Sequence, residues 1–147
     1  MEDKIKNQID IINNKIKELN SLYHIAANRS GISDGEVCIW SVLLRPKEEY
    51  SQQDLSELLS LPKQTVNSII SGLIKKGFVY LKHVSGTRNR KIICLTEEGL
   101  EYGTNHVKWI FDAEERVLEQ TDIRQVQVCI DMMEQYIFLL KREFNVE

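Results

Sequence analysis

The stretch Ser51–Thr96, SQQDLSELLSLPKQTVNSIISGLIKKGFVYLKHVSGTRNRKIICLT, decides the fold. Its pattern predicts helix, corner, helix, strand, polar loop and strand. Ser51 is placed to cap the first helix, with Asp54 as an acidic residue in its first turn. Leu55, Leu58 and Leu59 give that short helix one apolar face. Leu61-Pro62 makes a corner, and proline suits the first turn of the next helix. Val66, Ile69, Ile70, Leu73 and Ile74 then recur at helical spacing. The opposite face is Gln64, Ser68, Ser71 and Lys75, flanked by Thr65, Asn67 and Gly72. Gly77 ends this helix, and Phe78 to Val84 is rich in the aromatic and branched residues of a strand. Ser85 to Arg90 is a hairpin tip, and Lys91 to Leu95 returns.

Charge sets this stretch apart. From Pro62 to Lys91 there are seven Lys or Arg and no Asp or Glu, whereas the whole chain has 19 basic and 22 acidic residues. An acid-free basic window in a mildly acidic protein points to a polyanion, because phosphate neutralisation dominates nucleic-acid affinity. Two short helices at a tight corner followed by a hairpin predict a winged helix-turn-helix, whose second helix enters the major groove. Gln64, Thr65, Asn67 and Ser68 lie where side chains reach base edges, and Gln or Asn pairs bidentately with adenine. Lys63 and Lys75 suit phosphates, as do Ser51 and Gln52 at a helix N-terminus. Arg88 and Arg90 on the loop are long enough to enter a minor groove. With Asn89 between them, these eleven residues form the candidate DNA-contact set.

Working outward, residues 4–28 read as one long helix. Ile5, Ile9, Ile12, Ile16, Leu19, Tyr23 and Ala26 alternate steps of four and three, the heptad rhythm of a helix lying along another. Ser33 and Glu36 form a capping-box pair for the next helix, whose apolar residues are Val37, Trp40, Val42, Leu43 and Leu44. Thr96 caps a helix expected to run unbroken to about residue 120. The last helix repeats the heptad rhythm through Ile123, Val126, Ile130, Met133, Ile137, Leu140 and Phe144. Heptad helices at both ends predict a homodimer interface, with an intramolecular antiparallel pair as the alternative. The expected organisation is a single domain, 1–147, with a DNA-binding lobe at 33–96 and dimerisation helices at 4–28 and 97–145. Its class is mainly α with a small β-hairpin wing.

The ordered set resembles the core of the multiple-antibiotic-resistance regulator (MarR-type) transcription factors. The stretch QQDLSELLSLPKQTVNSIISGLIKKGFVYLK carries that resemblance, with Leu95-Thr96-Glu97-Glu98-Gly99 closing the wing as the family's Leu-Thr-x-x-Gly does. The resemblance implies a homodimer that binds a pseudo-palindromic operator and usually represses, often with release by a small ligand or oxidant. One departure stands out. The family's wing carries Asp-x-Arg, and those positions fall on Thr87 and Asn89 here, with Arg88 and Arg90 beside them.

Other chemistry is less well supported. His24, His83 and His106 and the cysteines Cys38, Cys94 and Cys129 are scattered, without metal-ligand or catalytic spacing, so neither a metal, a cofactor nor an enzyme is expected. An odd number of widely spaced cysteines argues against a disulfide framework. Tyr23, His24, Trp40, Trp109 and Phe111 form a candidate pocket for a small-molecule effector, with aromatic core packing as the competing reading. The charged opening MEDKIKNQID is unlike a secretory signal, and no apolar run is long enough for a bilayer, so a cytoplasmic protein without a membrane partner is expected. The alternative function is a helical adaptor whose winged module contacts protein. Salt dependence separates the two, since phosphate contacts release counterions.

Overall fold

A computed structural model describes all residues 1–147. Seven helices and one hairpin run in the order α1 (Glu2–Arg29), α2 (Asp34–Leu43), α3 (Gln52–Leu59), α4 (Lys63–Lys75), β1 (Val79–His83), β2 (Lys91–Leu95), α5 (Glu97–His106), α6 (Lys108–Glu119) and α7 (Ile123–Glu143). This is the expected class: mainly helical, with a two-stranded antiparallel wing. No helix is long and apolar enough to cross a membrane. The chain divides into two compact units, Met1–Trp109 and Ile110–Glu147.

In the first unit the core gathers where α2, α3, α4 and the wing meet. Trp40 and Ile39 of α2, Leu55 of α3 and Val66, Ile70 and Leu73 of α4 are essentially inaccessible, with Val79 and Ile92 from the strands. The α4 residues recur at steps of four and three, so one stripe of that helix is spent on the core. Each such side chain contributes about 1.5–3 kcal/mol on leaving water. Ile39, absent from the sequence-derived core set, is as buried as Trp40. Trp40 is held by an aromatic cluster, 5.7 Å from Tyr102, which stacks at 4.4 Å on Phe78.

Two sequence expectations need correction. Ser33 does cap α2 by accepting from the Glu36 N–H, but Glu36 does not complete a capping box: its carboxylate accepts from Trp40 Nε1 at 3.1 Å. A buried indole N–H needs a partner, and Glu36 lies one helical turn away. The helix after Thr96 also does not run to residue 120. It breaks at Val107 (φ −122°, ψ −36°), so α5 and α6 are separate. Beside the break, the Ser30 hydroxyl donates to the His106 carbonyl at 2.8 Å and accepts from Trp109 Nε1 at 2.9 Å. A carbonyl drawn to a side chain 76 positions away in sequence leaves the helical ladder at that point.

Helix α1 buries only Ala27, while Ile5, Ile9, Ile12, Ile16 and Leu19 remain exposed. In the second unit, Ile110 and Phe111 are buried, whereas α7 buries no residue. Asp122 caps α7 by accepting from the Arg124 N–H at 2.8 Å, and Ile123, Ile130, Met133, Ile137 and Phe144 lie open.

Candidate nucleic-acid interface

The interface starts with a complete capping box. Ser51 Oγ accepts from the Asp54 N–H at 3.1 Å, and Asp54 Oδ2 accepts from the Ser51 N–H at 2.8 Å. Two of the donors that every helix start leaves open are thereby satisfied. At the other end of α3, Ser60 adopts the left-handed conformation (φ 51°) and reverses the chain. Ser56 builds the corner from both sides. Its buried hydroxyl donates to the Leu61 carbonyl at 2.6 Å, and its own carbonyl accepts from the Leu61 N–H at 3.1 Å. Pro62 then precedes the first turn of α4 as its N-cap rather than lying within it.

With Val66, Ile70 and Leu73 committed to the core, helical geometry sends Lys63, Gln64, Asn67, Ser68, Ser71 and Lys75 outward, and all six are exposed. Thr65 stands apart from this set. It is half-buried, and a Cβ on Gly35 of α2 would meet its methyl carbon at 3.6 Å. Thr65 therefore contributes to α2–α4 packing, unlike its exposed neighbours. Ser51 and Gln52 are half-buried at the start of α3.

The wing pairs in strict register, Val79 with Leu95 through His83 with Lys91. Its loop is closed by Val84 N–H donating to the Arg90 carbonyl at 2.8 Å. Thr87, at the family's Asp position, donates its hydroxyl to the Val84 carbonyl at 2.7 Å, so it shapes the turn. Arg88 and Asn89 lie exposed on the loop. Arg90 differs from them: its Nη2 donates to Asp54 Oδ2 at 2.8 Å. The carboxyl of Asp54 is held below the usual carboxylate range, first by the Ser51 N–H and then by Arg90. Glu48, Glu49 and Glu57 line an open cleft with Asp54 and Arg90. The acid-free window in the sequence is thus not acid-free in space, because the segment preceding it folds against the wing.

Of the sequence-derived effector residues, Tyr23, His24, Trp40 and Trp109 lie in the first unit. Trp40 is fully buried and packed against Gly103, where an added Cβ would lie 2.8 Å from its ring. Trp40 thus takes part in the aromatic core packing that was the competing reading. His24 Nδ1 lies 2.9 Å from Asp34 Oδ1, joining α1 to α2. Tyr23 is exposed, Trp109 is bonded to Ser30, and Phe111 belongs to the second unit. No cluster of His, Cys, Asp and Glu has the arrangement of a metal site.

A helix-corner-helix followed by a hairpin, with the outward face of the second helix polar and free of acids, defines a winged helix-turn-helix. Within that class, the chain has the fold of the MarR family regulators. It superposes on the MarR family regulator NMB1585 from Neisseria meningitidis with a TM-score of 0.80, at 16% identity over 94% of this chain and 96% of that one. S. aureus MepR in its DNA-binding conformation gives 0.71 at 15% identity, covering 92% and 98% of the two chains. Staphylococcus aureus MarR in complex with salicylate and kanamycin gives 0.67 at 16% identity, covering 94% and 93%. The family model described as sugar-specific transcriptional regulator TrmB matches residues 28–96, the span from the end of α1 to the end of the wing. No curated protein sequence matches.

Proposed function

We propose that this chain is a sequence-specific DNA-binding transcriptional regulator, a cytoplasmic repressor that grips a pseudo-palindromic operator as a homodimer. The observation that carries the reading is the outer face of α4. Six exposed side chains able to bond bases or phosphates stand there without one carboxylate, on a helix whose opposite stripe is buried in the core. Gln64, Asn67 and Ser68 would read base edges, while Lys63, Lys75 and the N-terminus of α3 would meet phosphates. The exposed stripes of α1 and α7 support the dimer, since apolar surface on this scale favours a covering partner. Two recognition helices would then enter major-groove segments about 34 Å apart.

Release by a small molecule is part of the proposal, through the likeness to a MarR solved with salicylate. Salicylate lowering the affinity for DNA is the expected result. Selection from random duplexes followed by footprinting tests the central claim. Enriched half-sites one helical turn apart, with affinity falling steeply in salt, are expected. A flat salt response with no enriched sequence would sink the proposal and favour the adaptor reading.

A further inference from the structure

The start of α3 has a problem as a phosphate site. Its backbone N–H groups attract an anion, but Asp54 sits in the same first turn and repels one. The structure places a cation against that carboxylate. Asp54 Oδ2 accepts from both the Ser51 N–H and Arg90 Nη2, each at 2.8 Å. The strand next to Arg90 is fastened to the same place through its backbone, because Ile93 N–H donates to the Tyr50 carbonyl at 2.8 Å. Arg90 also shares its cleft with Glu48, Glu49 and Glu57. Its guanidinium is therefore engaged by the Asp54 carboxylate, whereas Arg88 stands two residues earlier on the exposed loop.

We infer that Arg90 is a positioning residue and not a DNA contact: it neutralises Asp54 at the phosphate-facing start of α3 and holds the base of the wing against that helix. The inference rests on the DNA-binding reading above and divides the wing's labour. Arg88 meets the nucleic acid, and Arg90 makes the neighbouring helix end acceptable to it. Asp54 in turn serves two elements with one oxygen atom, which ties the wing angle to the α3 cap.

A double-mutant cycle on duplexes selected by the wild-type protein tests this. The variants are Arg90→Gln, Asp54→Asn and the pair together. Asparagine keeps an oxygen to accept from the Ser51 N–H, so the cap survives, and thermal melting of each variant checks the fold. Arg90→Gln is expected to weaken binding about fivefold in the parent and less than about twofold beside Asp54→Asn, the non-additivity of a coupled pair. The salt dependence should keep its slope, because no phosphate contact is lost. Equal losses in both backgrounds, with the slope reduced by about one, would put Arg90 on a phosphate and overturn the inference. No loss in the parent overturns it equally. Failure of the wild-type protein to select any duplex is a separate result, which removes the DNA-binding reading and this inference together.

Discussion

A Cβ on Gly99 would overlap the carbonyl oxygen of Phe78. That close approach explains the Leu-Thr-x-x-Gly closure in physical terms. Thr96 N–H donates to the same carbonyl at 3.0 Å, its hydroxyl donates to the Gly77 carbonyl at 2.6 Å, and its Oγ1 accepts from the Gly99 N–H at 2.9 Å. Threonine caps α5 while glycine lets the helix lie against the residue that leads into the wing's first strand. Gly99→Ala must move backbone and is expected to cost about 1–3 kcal/mol. Gly72→Ala is the control: a Cβ there meets nothing within 4 Å, and helix propensity favours alanine by about 1 kcal/mol. Urea midpoints should shift in opposite directions, and a shared direction would contradict the packing argument.

The two faces of α4 should separate stability from recognition. Leu73 is 1% exposed, so Leu73→Ala is expected to lower stability by about 2–5 kcal/mol. Gln64→Ala should change stability by less than about 0.5 kcal/mol. It should nevertheless alter which duplexes the protein selects, whereas Arg88→Ala weakens many sequences alike. The reverse pattern would refute the assignment of base reading to the helix and attraction to the wing.

Asp54 gives a pH dependence with a definite sign. Its folded pKa lies below the ordinary 3.8, so the folded state favours the ionised form. That contribution is present above pH 3.8 and drains away as acid protonates the folded carboxylate. The stability gap between wild type and Asp54→Ala should therefore be full at neutral pH and shrink on acidification below that value. Denaturant titrations across this range check it, and a gap that widens in acid would contradict the assigned hydrogen bonds.

Cys38 should be a sluggish thiol. Burial, followed by the nearby Asp34 carboxylate, pushes its pKa upward. Since thiolate is the reactive form, a variant retaining only Cys38 should alkylate more slowly at neutral pH than free glutathione. Reaction at or above the glutathione rate would contradict that upward shift.

The proposed dimer has its own test. Ile12 and Ile16 lie on the exposed stripe of α1. Replacing both with glutamate should shift the protein from dimer to monomer in sedimentation, because a charged pair in an apolar interface is left unpaired. A wild-type chain that sediments as a monomer at micromolar concentration would count against the homodimer directly.

Local rules make most of the fold legible. Ser51, Ser33, Gly77, the Thr96 cap on Gly99 and the α4 stripe each act within a turn or two of chain, and each stands where its sequence neighbourhood places it. The features that escape such rules depend on distant partners. Periodicity continues smoothly through Val107, and only Ser30, far away in sequence, accompanies the break there. Glu36 stands three residues after the cap, as a capping box requires, but the indole of Trp40 captures its side chain. Charge counted along the chain makes the wing uniformly basic, and Arg90 finds Asp54 only in three dimensions. Trp40 reads as an apolar residue of α2 from its spacing, but its packing against Gly103 has no local signal.

The corner made by Ser56 has a mechanical consequence. Both of its hydrogen bonds to Leu61 close within six residues, and neither involves the wing or the terminal helices. The corner that joins α3 to α4 is therefore braced locally, up to Leu61. A signal arriving from elsewhere in the protein meets this brace when it moves α4 relative to α3. Motion that carries α3 and α4 together leaves the brace intact, so the two helices are built to travel as one lever.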